Sequence, residues 1–253
     1  MSDAIERGDR VAKYLARAGV ASRRDAEKMI TDGKVRINNI AIAHPATFVT
    51  QGDLVTVEGR LVEEPDRTRL WRYHKPEGLV TTHRDPEGRP TVFDKLKHQL
   101  PRVISIGRLD LTSEGLLLLT NDGALARTLE LPSTGWIRRY RVRVHGEPDP
   151  KQLAALIKGV TIEGVKYAPI EAGLDSRKGE NAWLTVSLRE GRNREIRRVM
   201  AFLGLDVTRL IRIAYGPFQL GTLARGGIEE VPARVLREQL PKEGTPPPKP
   251  RAR

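Results

Sequence analysis

The stretch from Gly107 to Gly123, GRLDLTSEGLLLLTNDG, constrains the fold more than any other part of this chain. Its run from Leu116 to Leu119 is typical of a strand in a protein core, and Asn-Asp-Gly after it indicates a turn. Asp110 stands shortly before that run. Because a buried charge without a partner is costly, Asp110 either caps a turn or serves a site beside the strand.

The overall composition indicates a globular protein with a basic surface. Apolar residues make up 39% of the 253 residues and charged residues 30%, which argues against a disordered chain. Lysine and arginine number 44 against 32 acidic residues, and this excess favours a polyanionic partner such as nucleic acid. The alternative is a basic protein that binds nothing acidic.

Several classes of protein are excluded by what the sequence lacks. There is no cysteine, which rules out disulfides, thiolate nucleophiles and cysteine-ligated metals. No apolar run approaches the roughly 18 residues of a membrane helix. The polar N-terminus MSDAIERGDR resembles neither a signal peptide nor a transit peptide, so we expect a cytoplasmic protein without a membrane partner.

Residues 1–64 are predicted to form a small helical module followed by hairpins. Apolar residues recur at helical spacing before Gly19, and Ser22 with Asp25 forms a capping box for a second helix that ends at Gly33. Short alternating strands follow around Asn38-Asn39. The helices and first strand concentrate candidate RNA-binding side chains, namely Arg10, Lys13, Arg17, Arg23, Arg24, Lys28, Lys34 and Arg36. These charges either contact nucleic acid or form a solvated helix face.

The remainder is predicted to be a second domain at 68–240, which follows a charged linker at 62–69. Polar and apolar side chains alternate in residues 139–144 and 182–188, which predicts strands with one polar face. Asp149 and Pro150 begin one helix, and 193–204 follow helical spacing. The fold class is α+β. Residues 241–253, rich in proline and basic residues, are expected to be a disordered tail.

The common cofactor signatures are absent from the sequence. The five histidines lack the spacing of a zinc site, and neither a Walker phosphate loop nor a Gly-x-Gly-x-x-Gly turn is present. A cofactor-free enzyme or a plain binding protein remains. A carboxylate such as Asp110 needs no cofactor to act as a nucleophile or base.

Two resemblances to known families narrow these alternatives. RVAKYLARAGVASRRDAEKMITDGKVRIN resembles the RNA-binding module of the ribosomal-protein-S-four type, and this resemblance implies structured RNA as a partner. GRLDLTSEGLLLLTNDG resembles the signature of the pseudouridine synthases of the RsuA/RluB type, which modify ribosomal RNA. Supporting stretches follow in the expected order: HKPEG (74–78), DPEGRPTVFDKL (85–96), RRYRVRVHG (138–146) and EGRNREIRRVMAFLG (190–204). DPEGRPTVFD favours the RluB branch, which acts on large-subunit ribosomal RNA.

The resemblance implies a role for particular residues. Asp110 corresponds to the nucleophile that attacks the target uridine, Tyr140 to the tyrosine that packs on the base and takes part in proton transfer, and Arg197 to the partner of the aspartate. Arg108 and Arg194 are further candidates for RNA contact. The implied fold joins the small module to a larger, mainly antiparallel sheet domain, and the implied enzyme is a monomer without metal or cofactor. The rival hypotheses are a non-catalytic RNA-binding or ribosome-assembly factor and a synthase acting on small-subunit RNA.

Overall fold

The computed structural model describes residues 8–239, which form two compact units. The first comprises residues 8–68, Leu100–Val103 and Asn121–Gly123. The second comprises Arg69–Gln99, Ile104–Thr120 and 124–239. Within the described residues no helix is long and apolar enough to cross a membrane. The tail expected at 241–253 lies outside these residues, and the domain boundaries expected near 64 and 68 stay predictions.

The first unit contains two helices and six short strands. Strands β2, β3, β5 and β6 form a four-stranded sheet in the order β3-β2-β5-β6, and β1 pairs with β4. The elements are β1 (Asp9–Arg10), α1 (Val11–Arg17), α2 (Arg23–Thr31), β2 (Val35–Ile37), β3 (Ile40–Ala41), β4 (Phe48–Val49), β5 (Val55–Val57) and β6 (Arg60–Leu61).

Local sequence signals explain most of this unit. The Ser22 hydroxyl accepts the backbone N–H of Asp25 at 3.1 Å, so the predicted capping box is confirmed. The predicted hairpin at Asn38-Asn39 is also confirmed, because both residues adopt positive φ angles of 49° and 66°, as a two-residue hairpin turn requires. Val11, Leu15 and Ile30 are fully buried in the core between the helices and the sheet.

The second unit contains five helices and a large sheet. Its first half comprises β7 (Leu70–Lys75), α3 (Val92–Leu96), β8 (Ile104–Ile106), β9 (Glu114–Thr120), α4 (Gly123–Glu130), β10 (Arg138–His145) and α5 (Pro150–Ala155). Its second half comprises β11 (Val160–Ile162), β12 (Val165–Tyr167), β13 (Ile170–Lys178), β14 (Asn181–Leu188), α6 (Glu195–Phe202), β15 (Asp206–Tyr215), β16 (Phe218–Gln219), β17 (Ile228–Glu230) and α7 (Ala233–Gln239).

The large sheet has the strand order β13-β14-β10-β15-β9-β7-β17, with β16 paired to β15 and β8 to β9. Among the described residues, seven of its eight strand pairings are antiparallel, and only β9 and β15 run parallel. The predicted α+β class with a mainly antiparallel sheet is therefore confirmed. Because β9 and β15 are far apart in the sequence, their pairing brings the Asp110 region beside the C-terminal part of the unit.

Two apolar cores hold helices against this sheet. In one, Val142 and Val186 of the sheet pack with Val199 and Met200 of α6. In the other, Leu118 of β9 packs with side chains of α4 and α7. All seven residues of β9 are buried, which confirms the prediction that the leucine run forms a core strand. The turn expected at Asn-Asp-Gly is shorter than predicted, since Gly123 already begins α4.

Gly115 permits the close approach of β9 and β15. It pairs with Arg212 and has a φ of +105°. A Cβ at this position would lie 2.3 Å from the backbone oxygen and 2.7 Å from the backbone nitrogen of Arg212. The junction therefore depends on the missing side chain and on a φ angle that other residues rarely adopt.

We expect Gly115→Ala to destabilise the protein, because the methyl group collides with backbone atoms that cannot move without breaking the pairing. Steric overlap and backbone strain together cost about 2–5 kcal/mol. This corresponds to a fall in Tm of roughly 5–15 °C, measured by thermal unfolding followed by circular dichroism.

Gly173→Ala is the matched control for this substitution. Gly173 lies on the edge strand β13 without a positive φ, and its Cβ would meet nothing within 4 Å. Its Tm should stay the same or rise slightly. An unchanged Tm for Gly115→Ala would show that β9 and β15 do not pair as closely as described.

Candidate active site

Asp110 lies in an irregular segment that leads into β9, and hydrogen bonds fix the backbone of this segment. We call residues 109–113 the aspartate loop. Every carbonyl oxygen of the loop accepts a hydrogen bond from outside it. The bonds are Thr81 Oγ1 to Leu109 (2.9 Å), Lys75 Nζ to Asp110 (3.1 Å), Gly78 N to Leu111 (2.9 Å), Arg197 Nη2 to Thr112 (3.0 Å) and Lys75 Nζ to Ser113 (2.9 Å).

Lys75 supplies two of these bonds from the end of β7. Its side chain is fully buried, and its ammonium also donates to the carbonyl of Pro76 at 3.1 Å. Burial lowers the pKa of Lys75 to about 8, although the negative charges of Asp110, Glu77 and Glu114 oppose this shift. The ammonium therefore stabilises the aspartate loop through two of its backbone carbonyls, and through that of Pro76, rather than through a carboxylate.

Arg197 holds the loop from the other side, on α6. Besides Thr112, it donates from Nη1 to the carbonyl of Val207 at 2.9 Å. Burial lowers the pKa of Arg197 and the charge of Arg194 adds to this, whereas Asp110 raises it. Within residues 8–239 no ion pair shorter than 4 Å joins Arg197 to Asp110, so the charge of Arg197 reaches the carboxylate from a longer distance.

The carboxylate of Asp110 lines a cavity of about 430 Å³ and is half-buried. Among the described residues no side-chain or backbone donor makes a hydrogen bond to it. The loop is held by its backbone while its acidic group is left available. That arrangement gives no support to Asp110 as a turn cap, which would require a bond from its carboxylate to a backbone N–H.

Tyr140 reaches the same cavity from β10, beside Arg212 on β15. Tyr140 is half-buried, and Arg212 is only 2% exposed. The Nε atom of Arg212 donates to the carbonyl of Leu116 at 2.7 Å. Its Nη2 atom is buried without a hydrogen-bond partner among the described residues. The cavity is thus flanked by an aromatic ring and a fixed guanidinium.

Glu195 provides a second carboxyl group in the cavity wall, at the start of α6. Its Oε2 atom accepts the backbone N–H of Arg192 at 2.9 Å. Burial raises the pKa of Glu195, and the nearby charge of Glu190 acts in the same direction. Positive groups nevertheless dominate the lining, which includes the arginines Arg108, Arg138, Arg192, Arg194 and Arg212. A phosphate-bearing ligand suits such a cavity.

The sequence-based candidates fall into two groups in the structure. Asp110, Tyr140, Arg108 and Arg194 line the cavity, and Arg197 contacts the aspartate loop. The eight basic candidates of the first unit are exposed or half-buried on its surface. Several of them carry ion pairs, namely Lys13 and Arg17 with Asp9, Arg23 with Glu27, and Lys34 with Glu58.

Sequence reasoning missed Lys75, Glu195 and Arg212. Lys75 and Glu195 lie within stretches that carried the family resemblance, HKPEG and EGRNREIRR, but neither pattern reveals that the side chain is buried. Arg212 carries no motif at all. Only the three-dimensional pairing of β15 with β9 brings it to the aspartate loop.

Comparison with known proteins identifies the family. Residues 69–202 match the family model described as RNA pseudouridylate synthase, and residues 9–65 match the S4 domain. The chain belongs to the RNA pseudouridylate synthase family. It is an RNA pseudouridine synthase, an isomerase that carries an N-terminal S4 domain, and both resemblances seen in its sequence are confirmed.

Relatives of this synthase match it over most of its length. An uncharacterized RNA pseudouridine synthase of Rickettsia prowazekii (strain Madrid E) is 48% identical over 91% of the chain and 97% of the relative. Ribosomal large subunit pseudouridine synthase B of Yersinia pestis is 41% identical over 91% of the chain and 76% of the relative. A crystal structure of a pseudouridylate synthase aligns with a TM-score of 0.63 and 26% identity, and the alignment covers 91% of this chain and 99% of that one.

We expect Lys75→Met to change how the stability of the synthase depends on pH. Between pH 8 and 10.5 the unfolded chain keeps a proton on Lys75 that the folded chain releases. Stability rises with pH where the unfolded state binds more protons, so the penalty of burying the charged Lys75 shrinks and the wild type gains stability across that window. The gap in unfolding free energy between wild type and variant should widen by about 3 kcal/mol from pH 7.5 to 10.5 in urea titrations.

The other titrating groups are present in both the wild type and Lys75→Met, so their contributions cancel in the difference in unfolding free energy. Lys97→Met serves as the control because it removes the same charge from an exposed position, without removing a buried ammonium group. A constant gap for Lys75→Met would mean that Lys75 titrates at the same pH in the folded and unfolded chains.

Proposed function

We propose that this synthase converts a uridine of large-subunit ribosomal RNA into pseudouridine, with Asp110 as the nucleophile and the target nucleotide flipped into the cavity. The observation that carries the proposal is the hydrogen bonding around Asp110. Its backbone is fixed by surrounding donors while its carboxylate has no hydrogen-bond partner among the described residues and borders the cavity. A fixed nucleophile loses little freedom when it reacts at one defined carbon.

The proposed reaction needs no external reactant. The bond between N1 of uracil and C1′ of ribose breaks, the uracil turns in the cavity, and its C5 forms the new bond to C1′. N1 gains a proton and C5 loses one, so the product is an isomer of the substrate. Asp110 attacks the target nucleoside and is released when the new bond is complete.

Two other residues have proposed roles beside Asp110. The ring of Tyr140 offers the flipped base a stacking surface in place of the neighbours that it leaves in the RNA. The positive charge of Arg197 attracts the carboxylate of Asp110, and its guanidinium orients the loop through the carbonyl of Thr112. These roles are supported by the position of Tyr140 in the cavity wall and by the contact of Arg197 with the aspartate loop.

Large-subunit RNA is favoured by two features of the sequence. The relatives of Yersinia pestis, Haemophilus influenzae and Pseudomonas aeruginosa named as large-subunit synthases B are 41–43% identical to this chain. The stretch DPEGRPTVFD is the sequence feature that favours the same branch. In the structure it begins with a turn in which the backbone N–H of Arg89 donates to Asp85 at 2.8 Å.

The S4 domain supplies the proposed anchoring surface. Arg10, Arg24 and Lys28 are exposed, and within residues 8–239 no carboxylate lies within 4 Å of them. Unpaired cations of this kind can neutralise phosphates and release counterions. They are the first candidates for contact with the RNA backbone, ahead of the basic residues that already carry ion pairs.

We expect Asp110→Asn to abolish turnover while RNA binding persists. The amide keeps the shape of the side chain but is a very poor nucleophile, so pseudouridine formation should fall by roughly four orders of magnitude or more. Pseudouridine is quantified by chemical labelling of unmodified large-subunit ribosomal RNA after incubation with purified protein, and binding is titrated in parallel. Small-subunit RNA serves as the second substrate in the same assay.

Each outcome of this assay has a distinct meaning. Substantial product from Asp110→Asn would overturn the assignment of the nucleophile. Product from the wild type in small-subunit RNA alone would reject the proposed substrate and leave the nucleophile standing.

Replacement of Arg197 by Met should lower kcat by roughly 10- to 100-fold, because two hydrogen bonds from a charged donor are lost. The affinity for RNA should change far less. The neighbouring Arg198 is exposed on the same helix, so Arg198→Met provides a matched control with near-normal kcat. Equal effects of the two substitutions would argue that Arg197 acts only as a surface charge.

A further inference from the structure

A row of arginines lies on the side of β10 that faces away from the cavity. Successive side chains of a strand point to opposite faces of the sheet. Tyr140, Val142 and Val144 point towards the cavity and the α6 core, and the last two are fully buried. The intervening side chains are exposed on the other face, and with one tryptophan of β14 they form what we call the arginine face: Arg139, Arg141, Arg143 and Trp183.

The arginines of this face lack counter-charges. Within residues 8–239 no carboxylate comes within 4 Å of any of the three guanidinium groups. Glu114 of β9 is paired with Arg209 on this side, and further acidic residues lie on the edge strand β13. Glu171 is two strands away from Arg139, roughly 10 Å across the sheet, and Asp175 accepts a hydrogen bond from Thr185. The positive charge is therefore left to solvent or to a ligand.

Arg143 lies directly across from a residue of the same charge on the neighbouring strand. It pairs in register with Arg209 on β15, and like charges that lie directly opposite each other destabilise a sheet. The charge of Arg209 is balanced by its ion pair with Glu114, but Arg143 has no such partner among the described residues. A chain selected only for folding would gain by neutralising this position. Its charge is therefore available to an anionic ligand.

Trp183 orients the central arginine of the row. The guanidinium of Arg141 lies 4.7 Å from the centre of the Trp183 ring, a cation–π arrangement. This contact holds the guanidinium against the ring, while its N–H groups, which bind phosphate oxygens in pairs, make no hydrogen bond among the described residues. Side chains two residues apart on a strand are roughly 6.8 Å apart, so the three arginines form an evenly spaced row.

We propose that the arginine face is a second RNA-contacting surface, which binds the phosphate backbone of a segment remote from the target uridine. A nucleotide in the cavity cannot reach the opposite side of the sheet, so the bound segment belongs to another part of a large folded RNA. This inference rests on the proposed function, since a ribosomal RNA substrate supplies such a segment. Phosphate is the favoured ligand because the row offers three guanidinium groups without ion-pair partners among the described residues.

The test compares two triple variants that change the net charge equally. The first is Arg139→Gln/Arg141→Gln/Arg143→Gln. The second is Lys151→Gln/Lys158→Gln/Lys166→Gln, whose lysines are exposed on α5, the turn that follows it and β12, and have no carboxylate within 4 Å among the described residues. The probe is protein-free large-subunit ribosomal RNA transcribed in vitro, with Kd measured at several salt concentrations for both variants and the wild type.

The arginine variant should bind this RNA roughly tenfold more weakly, and its plot of log Kd against log salt should be shallower by about 2 to 3, close to one for each lost phosphate contact. Its kcat at saturating RNA should equal that of the wild type, because the cavity is untouched. Its Tm should not fall, since repulsion between Arg143 and Arg209 is removed. The lysine variant should keep the wild-type Kd and slope.

Three results would overturn the proposal. The first is an unchanged salt slope in the arginine variant, as expected if the face binds an acidic protein or nothing. The second is an equal change in both variants, which would reflect net charge alone. The third is a loss of kcat at saturating RNA.

Failure of the wild type to form pseudouridine in this RNA would instead reject the proposed function, and the binding measurements would still decide the role of the face. The single variant Arg143→Gln repeats the slope measurement, with an expected change of about 1, if the triple variant unfolds.

Discussion

The ammonium group of Lys75, buried among three backbone carbonyls, is the interaction on which the candidate active site depends. It joins the end of β7 to the aspartate loop and fixes both ends of the segment that carries Asp110. A carboxylate partner would have neutralised the lysine more simply, but it would have left the loop carbonyls without donors. Since buried carbonyls require hydrogen bonds, one cation placed beneath the loop satisfies the backbone and leaves the acidic side chain of Asp110 unengaged.

Apolar packing of helices against the large sheet holds this arrangement in place. One half is covered by α6 and its apolar core, and the other by α4 and α7, so the strands between them carry side chains to both sides. β9 is buried along its whole length and cannot shift without exposing leucine. The cavity therefore lies at a junction whose walls are fixed by packing, while its polar groups come from loops and strand ends.

Much of this architecture follows from local sequence signals, and the remainder does not. The capping box at Ser22, the Asn38-Asn39 hairpin and the leucine strand were predictable because each depends on residues that are neighbours in the sequence. The motif around Asp110 could be recognised by resemblance. The roles of Lys75 and Arg212 could not be predicted, since they arise from contacts between residues 35 and 96 positions apart, respectively. Burial of a charged side chain leaves no periodic pattern in the sequence.

The parallel pairing of β9 with β15 also has a consequence for biosynthesis. Residues 114 and 115 can complete their pairing only after residues 211 and 212 have been synthesised. Arg197 must likewise be synthesised before it can contact the aspartate loop. Contacts over such long separations form late, because chain closure has to precede them. A nascent chain on the ribosome thus keeps one edge of β9 unpaired until residue 212 has been synthesised, and a product that terminates before Arg197 lacks its hydrogen bond to the aspartate loop.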